Sequence, residues 1–149
     1  MKSFLVVFLV VIAAAFADEK EFVAEFKALI KDVGTKCLSE VGATNDDLDS
    51  LIMKKEIPTK HEGMCLILCM HKHWGIQTAD GKMDLEAGLK SIAPLKEFDA
   101  DAYSKATTVF KTCHEKVKED SDPCVTATHM AKCGKEESEK LGLHENYDI

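Results

Sequence analysis

The chain has 149 residues, its 19 basic residues are all lysine against 26 Asp plus Glu, and its net charge is -7. Without a guanidinium fork and with an acidic balance, it is excluded from polyanion binding, nucleic acid foremost. At 46% hydrophobic and 30% charged residues it has the composition of one globular domain with a core, and disorder is excluded.

Residues 1–17 read as a secretory signal peptide: Lys2 gives a positive start, Phe4 to Ala14 an apolar run, and Ala15-Phe16-Ala17 a small-x-small cleavage site. The run breaks at Asp18-Glu19-Lys20, short of the roughly 20 apolar residues of a membrane span, so no stable membrane insertion is expected. Cleavage after Ala17 leaves a domain over 18–149, of 132 residues and net charge -8, in an oxidising compartment.

Helical signals follow one another down that domain. Phe22, Phe26, Leu29, Ile30 and Val33 fall at helical spacing, and Gly34 is expected to weaken the last turn of this first helix. Thr44-Asn45-Asp46-Asp47 opens a second through Leu48, Leu51 and Ile52. Thr59 and Glu62 read as a capping box for a third helix from Met64 to Trp74, apolar on nearly all sides and therefore central. After Gly75, a polar loop over 77–82 leads to Asp84, which caps a fourth helix through Leu85, Leu89 and Ile92, ended by Pro94. Asp99 or Asp101 starts a fifth helix carrying Tyr103, Val109, Phe110 and Val117. Asp122-Pro123 starts a sixth running to about Lys132, and residues 134–149 read as a polar C-terminal tail. Strand-like alternation and internal repeats are absent from the pattern.

The six cysteines, Cys37, Cys65, Cys69, Cys113, Cys124 and Cys133, all fall in the secreted part, so three disulfides are expected. Cys65 and Cys69 project side by side from one helix, and Cys124 and Cys133 face opposite sides of another, so each should bond elsewhere. That leaves about ten of the 15 pairings open. A domain of this size holds a core without help. Such bracing suits either a centre that is not fully packed or ordinary extracellular durability.

Catalytic patterns are missing. His61-Glu62, His114-Glu115 and His144-Glu145 each begin like H-E-x-x-H, but Cys65, Lys118 and Asp148 stand where the second histidine is needed. No nucleophile elbow, Walker loop or dinucleotide fingerprint occurs, so an enzyme is not expected. Cys65, Cys69, His71 and His73 resemble a metal cluster only until their thiols are placed in disulfides, and Asp80, Asp84 and Glu86 lack calcium-loop spacing. No metal or cofactor is expected.

The spacing C-x27-C-x3-C-x43-C-x10-C-x8-C, behind a signal peptide and within an all-α reading, resembles the insect odorant-binding proteins of the six-cysteine type, which include the pheromone-binding proteins. The resemblance covers the chain from the first helix through Cys133, and the x3 and x8 steps are its specific parts. It implies a six-helix, disulfide-braced domain enclosing an apolar pocket, with bridges Cys37 to Cys69, Cys65 to Cys124 and Cys113 to Cys133. The x43 step is long for the family, with the surplus placed in the loop before Asp84. The tail is shorter than that of moth carriers, whose tail enters the pocket at low pH.

The resemblance further implies a carrier of small hydrophobic ligands in extracellular fluid, with a membrane chemoreceptor engaged at most indirectly. The alternative class is a secreted helical interaction or gland protein with no small-molecule ligand. Matched by position to the family's pocket walls are Phe26, Ile30, Leu51, Ile52, Ile67 and His71, and farther along Ile76, Met83, Leu89, Ile92, Thr107, Phe110 and Met130. His71 is the polar member expected to meet the ligand, its affinity falling as pH drops through the ordinary histidine range near about 6.5. Trp74 and Tyr103 are further polar-tipped aromatics. Leu141, Leu143, Tyr147 and Ile149 are expected to form a partial lid.

Overall fold

A computed structural model describes residues 19–143 as an all-helical chain, with no strand among the described residues beyond a single bridge between Gln77 and Met83. The signal peptide, Tyr147, Ile149 and the side chain of Phe22 lie outside the described residues.

Helix α1, Glu19–Val41, does not weaken at Gly34 but continues for two more turns, carrying Cys37. The glycine serves a close approach: a Cβ there would overlap the Leu48 side chain of α2, Asn45–Ile52. The chain leaves α1 at Gly42, whose φ of +72° suits glycine. Thr44 then caps α2, its Oγ1 accepting from Asp47 N–H at 3.3 Å while Asp47 Oδ2 accepts from Thr44 N–H at 2.9 Å.

Helix α3, His61–His73, starts later than the expected capping box. Lys60, not Thr59, is its N-cap and makes no side-chain cap bond. Pro58 is seated against Gly63, which keeps the chain extended through Lys60. Leu66, Ile67, Leu68 and Met70 are buried around α3, which packs against α1, α2 and the last helix and is the central element.

Asp84 caps α4, Leu85–Ser91, by accepting from Ala87 N–H at 3.0 Å. A one-turn helix after Pro94, α5 at Leu95–Phe98, makes seven helices among the described residues where six were expected. Asp99 rather than Asp101 caps α6, Ala100–Lys116. Asp122 caps α7, Pro123–Lys140, which runs eight residues past the expected end at Lys132. The first part of the expected tail is thus helical. Glu137 accepts from Lys116 of α6 and from Lys140, each at 2.8 Å, Lys135 pairs with Glu139 at 2.9 Å, and Leu141 at the C-cap packs against Val109, Cys113 and Met130, so ion pairs and one apolar contact hold the polar segment.

The buried residues form three separate clusters. Val33, Cys37, Leu48, Leu66 and Met70 join α1, α2 and α3. Ile67, Leu68, Cys124 and Ala127 join α3 to α7. Val109, Cys113 and Met130 join α6 to α7. Other large apolar residues, among them Ile76, Met83 and Leu89, are only half-buried.

Candidate functional site

Covalent bracing sets the frame. Cys37 is bonded to Cys69, Cys65 to Cys124 and Cys113 to Cys133, the pairing that the resemblance implied, and no described cysteine is free. These bridges link α1 to α3, α3 to α7 and α6 to α7 in series. Chain-entropy reasoning assigns each about 2 to 4 kcal/mol.

At the C-terminal end of α3, His71 meets the loop that follows. Its Nδ1 lies 2.9 Å from Gln77 Oε1, while Gln77 Nε2 donates to Gly81 O at 2.7 Å and to Pro123 O at 3.4 Å. Gln77 is 1% exposed and ties the loop to both α3 and α7. The sequence pattern places Gln77 in a polar loop, and nothing in a polar run marks which amide turns inward. Burial among protein atoms pushes His71 down from 6.5 to about 4, against the upward pull of the Gln77 hydrogen bond. His71 is half-buried, with its ring hydrogen-bonded to the buried Gln77. The proton uptake expected near the ordinary histidine range is therefore displaced to much more acidic conditions.

The thirteen matched positions are distributed over these elements. Ile30, Leu51 and Ile52 pack on the first cluster, and Leu51 also packs on the second, to which Ile67 belongs. Ile76 and Met83 pack on the third beside Met130. Phe110 lies against Gly88 of α4, where no larger residue fits without displacing the ring. Leu89 in α4 and Ile92 at its C-cap are half-buried, whereas Phe26 is 38% exposed on α1. Trp74 packs against the first cluster, and Tyr103 is half-buried on α6.

Thr107 carries the least satisfied group. Its hydroxyl is buried with no hydrogen-bond partner, whereas the neighbouring Thr108 satisfies its own by donating to Ser104 O at 3.0 Å. A hydroxyl left so costs about 1 to 3 kcal/mol unless something fills the need.

An open groove of about 560 Å³ lies between α1 and α3, floored by the Cys37–Cys69 and Cys65–Cys124 bridges and edged by Lys36, Glu40 and Lys72. None of the thirteen positions lines it. His61, Cys65 and Cys124 bring donor atoms within 4.8 Å of one another, but both sulfurs are spent on their mutual bond and offer no thiolate to a metal.

The comparisons with known proteins follow the same frame. Residues 19–137 match the PBP/GOBP family. General odorant-binding protein 28a of Drosophila melanogaster is 33% identical over 126 residues, covering 85% of this chain and 84% of that protein. General odorant-binding protein 19d of the same fly is 28% identical over 112 residues, covering 75% and 73%. The solved structure of odorant-binding protein dmelOBP28a from Drosophila melanogaster aligns with a TM-score of 0.67 at 32% identity, over 85% of this chain and 99% of that one. Since the match runs from the first residue of α1 almost to the end of α7, the chain belongs to the PBP/GOBP family.

Proposed function

We propose that the protein is a secreted carrier that takes up a small hydrophobic molecule among its helices and moves it through aqueous extracellular fluid, doing no chemistry on it. The observation that carries this reading is the buried, unpartnered hydroxyl of Thr107, set in a domain whose core is split into three clusters. Apolar pockets bind by area and use one or two polar groups for orientation. A ligand with an apolar body and a single carbonyl or hydroxyl would satisfy Thr107 while covering half-buried side chains such as Leu89, Ile92 and Phe110. Membership in a family of odorant-binding proteins supports the same reading. Secretion, through cleavage after Ala17, belongs to the proposal and suits three disulfides, and no helix among the described residues is long and apolar enough to cross a membrane.

A displaceable hydrophobic fluorescent probe tests it. Purified protein with all three bridges should bind the probe saturably and release it to competing lipophiles. Phe110→Ala should weaken binding by roughly 1 to 3 kcal/mol through lost contact, and Phe98→Ala, at a residue 41% exposed on α5, should not. Absence of saturable binding in the folded protein removes the reading.

A further inference from the structure

Three groups converge on one disulfide. His61 opens α3, and four residues later on the same face stands Cys65, bonded to Cys124 in the first turn of α7. The Nδ1 and Nε2 atoms of His61 lie 3.7 and 3.8 Å from Cys65 Sγ, and His61, Cys65 and Cys124 hold their donor atoms within 4.8 Å. A disulfide sulfur has no proton to donate, so these contacts are not what orients the ring. Asp122 orients it: Nε2–H donates to Asp122 Oδ2 at 3.0 Å, leaving the Nδ1 lone pair beside the bridge. Asp122 is itself fixed as the N-cap of α7, its Oδ1 accepting from Cys124 N–H at 2.8 Å. The charged groups flanking the ring on its own helix are Lys60 and Glu62, and Asp122 is the one facing it from α7.

We propose that the Cys65–Cys124 bridge is a thiol-exchange site, opened by a small thiol with His61 carrying the proton and Asp122 as the positioning residue. The thiol sulfur bonds to Cys65 Sγ, the more accessible of the two, and its proton passes to His61 Nδ1. The Cys65–Cys124 bond breaks with its electron pair on Cys124 Sγ, which then takes the proton back from Nδ1. One disulfide is exchanged for another, giving a mixed disulfide on Cys65 and a thiol on Cys124. The leaving sulfur sits in the first turn of an 18-residue helix, where the helix dipole favours a thiolate, and a stabilised thiolate leaves faster. Asp122 opposes that effect with its own charge, but during the step the charge is paired with the His61 imidazolium. The Cys37–Cys69 bridge is built the other way: Glu40 Oε2 lies 3.4 Å from Cys69 Sγ, a carboxylate facing the sulfur that would have to carry negative charge. Cys113 lies in the last turn of α6, where the dipole disfavours a thiolate, and Cys133 in the middle of α7, so neither sits at a helix N-terminus.

The experiment is limited exchange with reduced glutathione on the intact protein, quenched by alkylation and read by non-reducing peptide mapping. Cys65–Cys124 should open first, about tenfold ahead of the other bridges, a modest share of what a positioned acid–base group supplies. Glutathione should appear on Cys65. Taking the opening rate relative to Cys113–Cys133 in the same molecules cancels the probe's own ionisation. His61→Ala should abolish the lead and free imidazole should restore it, which a merely structural histidine would not allow. Asp122→Asn, which keeps a capping oxygen, should lower the lead without changing the order of the other two bridges. Opening of another bridge first, equal rates at all three, or a lead unchanged in His61→Ala would overturn the proposal.

Discussion

His71 and Gln77 hold each other in a single arrangement. Because Gln77 Nε2 is committed to Gly81 O, its Oε1 faces the ring, and His71 must carry its proton on Nδ1 to donate across the 2.9 Å between them. The neutral ring then keeps its Nε2 as an acceptor, and a second proton must enter a ring packed by protein.

Stability should therefore depend on acid in a defined direction. The unfolded chain takes up a proton at His71 near 6.5, while the folded protein resists it down to about 4. The contribution is fully present above 6.5 and is lost as pH falls through that window, amounting to roughly 3 kcal/mol by linkage. Urea titrations at pH 7, 5.5 and 4 should show the fall, and His71→Gln should flatten that part of the curve. Between pH 7 and 5, probe affinity should change by less than about twofold on account of His71, since the folded ring stays mostly neutral.

Gln77→Leu should be more damaging than its loop position suggests. It leaves the Gly81 carbonyl and the His71 N–H without partners in a buried place, at about 1 to 3 kcal/mol for each. Denaturant unfolding measures the loss, and Gln77→Glu should recover the bond from His71 while failing at Gly81.

Gly34→Ala should destabilise the protein by about 1 to 3 kcal/mol although alanine is the better helix former, since its Cβ would meet Leu48. Shortening the partner in Gly34→Ala/Leu48→Ala should cost less than the two single changes added together. Strict additivity in that double-mutant cycle would show that the contact is not the cause.

Thr107→Val should separate folding from binding. Replacing an unsatisfied buried hydroxyl by a methyl group of similar shape should leave unfolding unchanged or raise stability by about 1 kcal/mol. Affinity for a ligand with a carbonyl or hydroxyl should fall several-fold while that for its hydrocarbon counterpart holds. Parallel losses for both ligands would argue that Thr107 makes no polar contact with them.

The sequence made the helix boundaries legible wherever a short polar side chain caps: Thr44, Asp84, Asp99 and Asp122 all stand where pattern and capping chemistry put them. It misled at Gly34, expected to weaken a last turn, and at Gly134, expected to open the tail, for both lie inside helices, one seated on Leu48 and the other followed by the ion pairs of Lys135, Glu137, Glu139 and Lys140. The odd pairing of six cysteines was narrowed by helical geometry and completed only by resemblance. Thr107 stood among the matched positions, but nothing in a sequence distinguishes a threonine that bonds back to its own helix, as Thr108 does, from one that does not. Gln77 and the alignment of His61 with Asp122 depend on contacts 46 and 61 residues apart, beyond any local pattern.

The three bridges also divide the molecule mechanically. They run in series through α1, α3, α7 and α6, so these four helices form a stapled frame, while the segment 74–99 between α3 and α6, which holds α4 and α5, contains no cysteine. That span is a hung panel. Its fastenings are the Gln77 amide, the seating of Gly88 on Phe110 and the packing of α4 and α5 against α6. Each can yield and re-form without breaking a covalent bond, so the panel can shift while the frame keeps its dimensions, the adjustment that the proposed carrier would need for ligands of different girth.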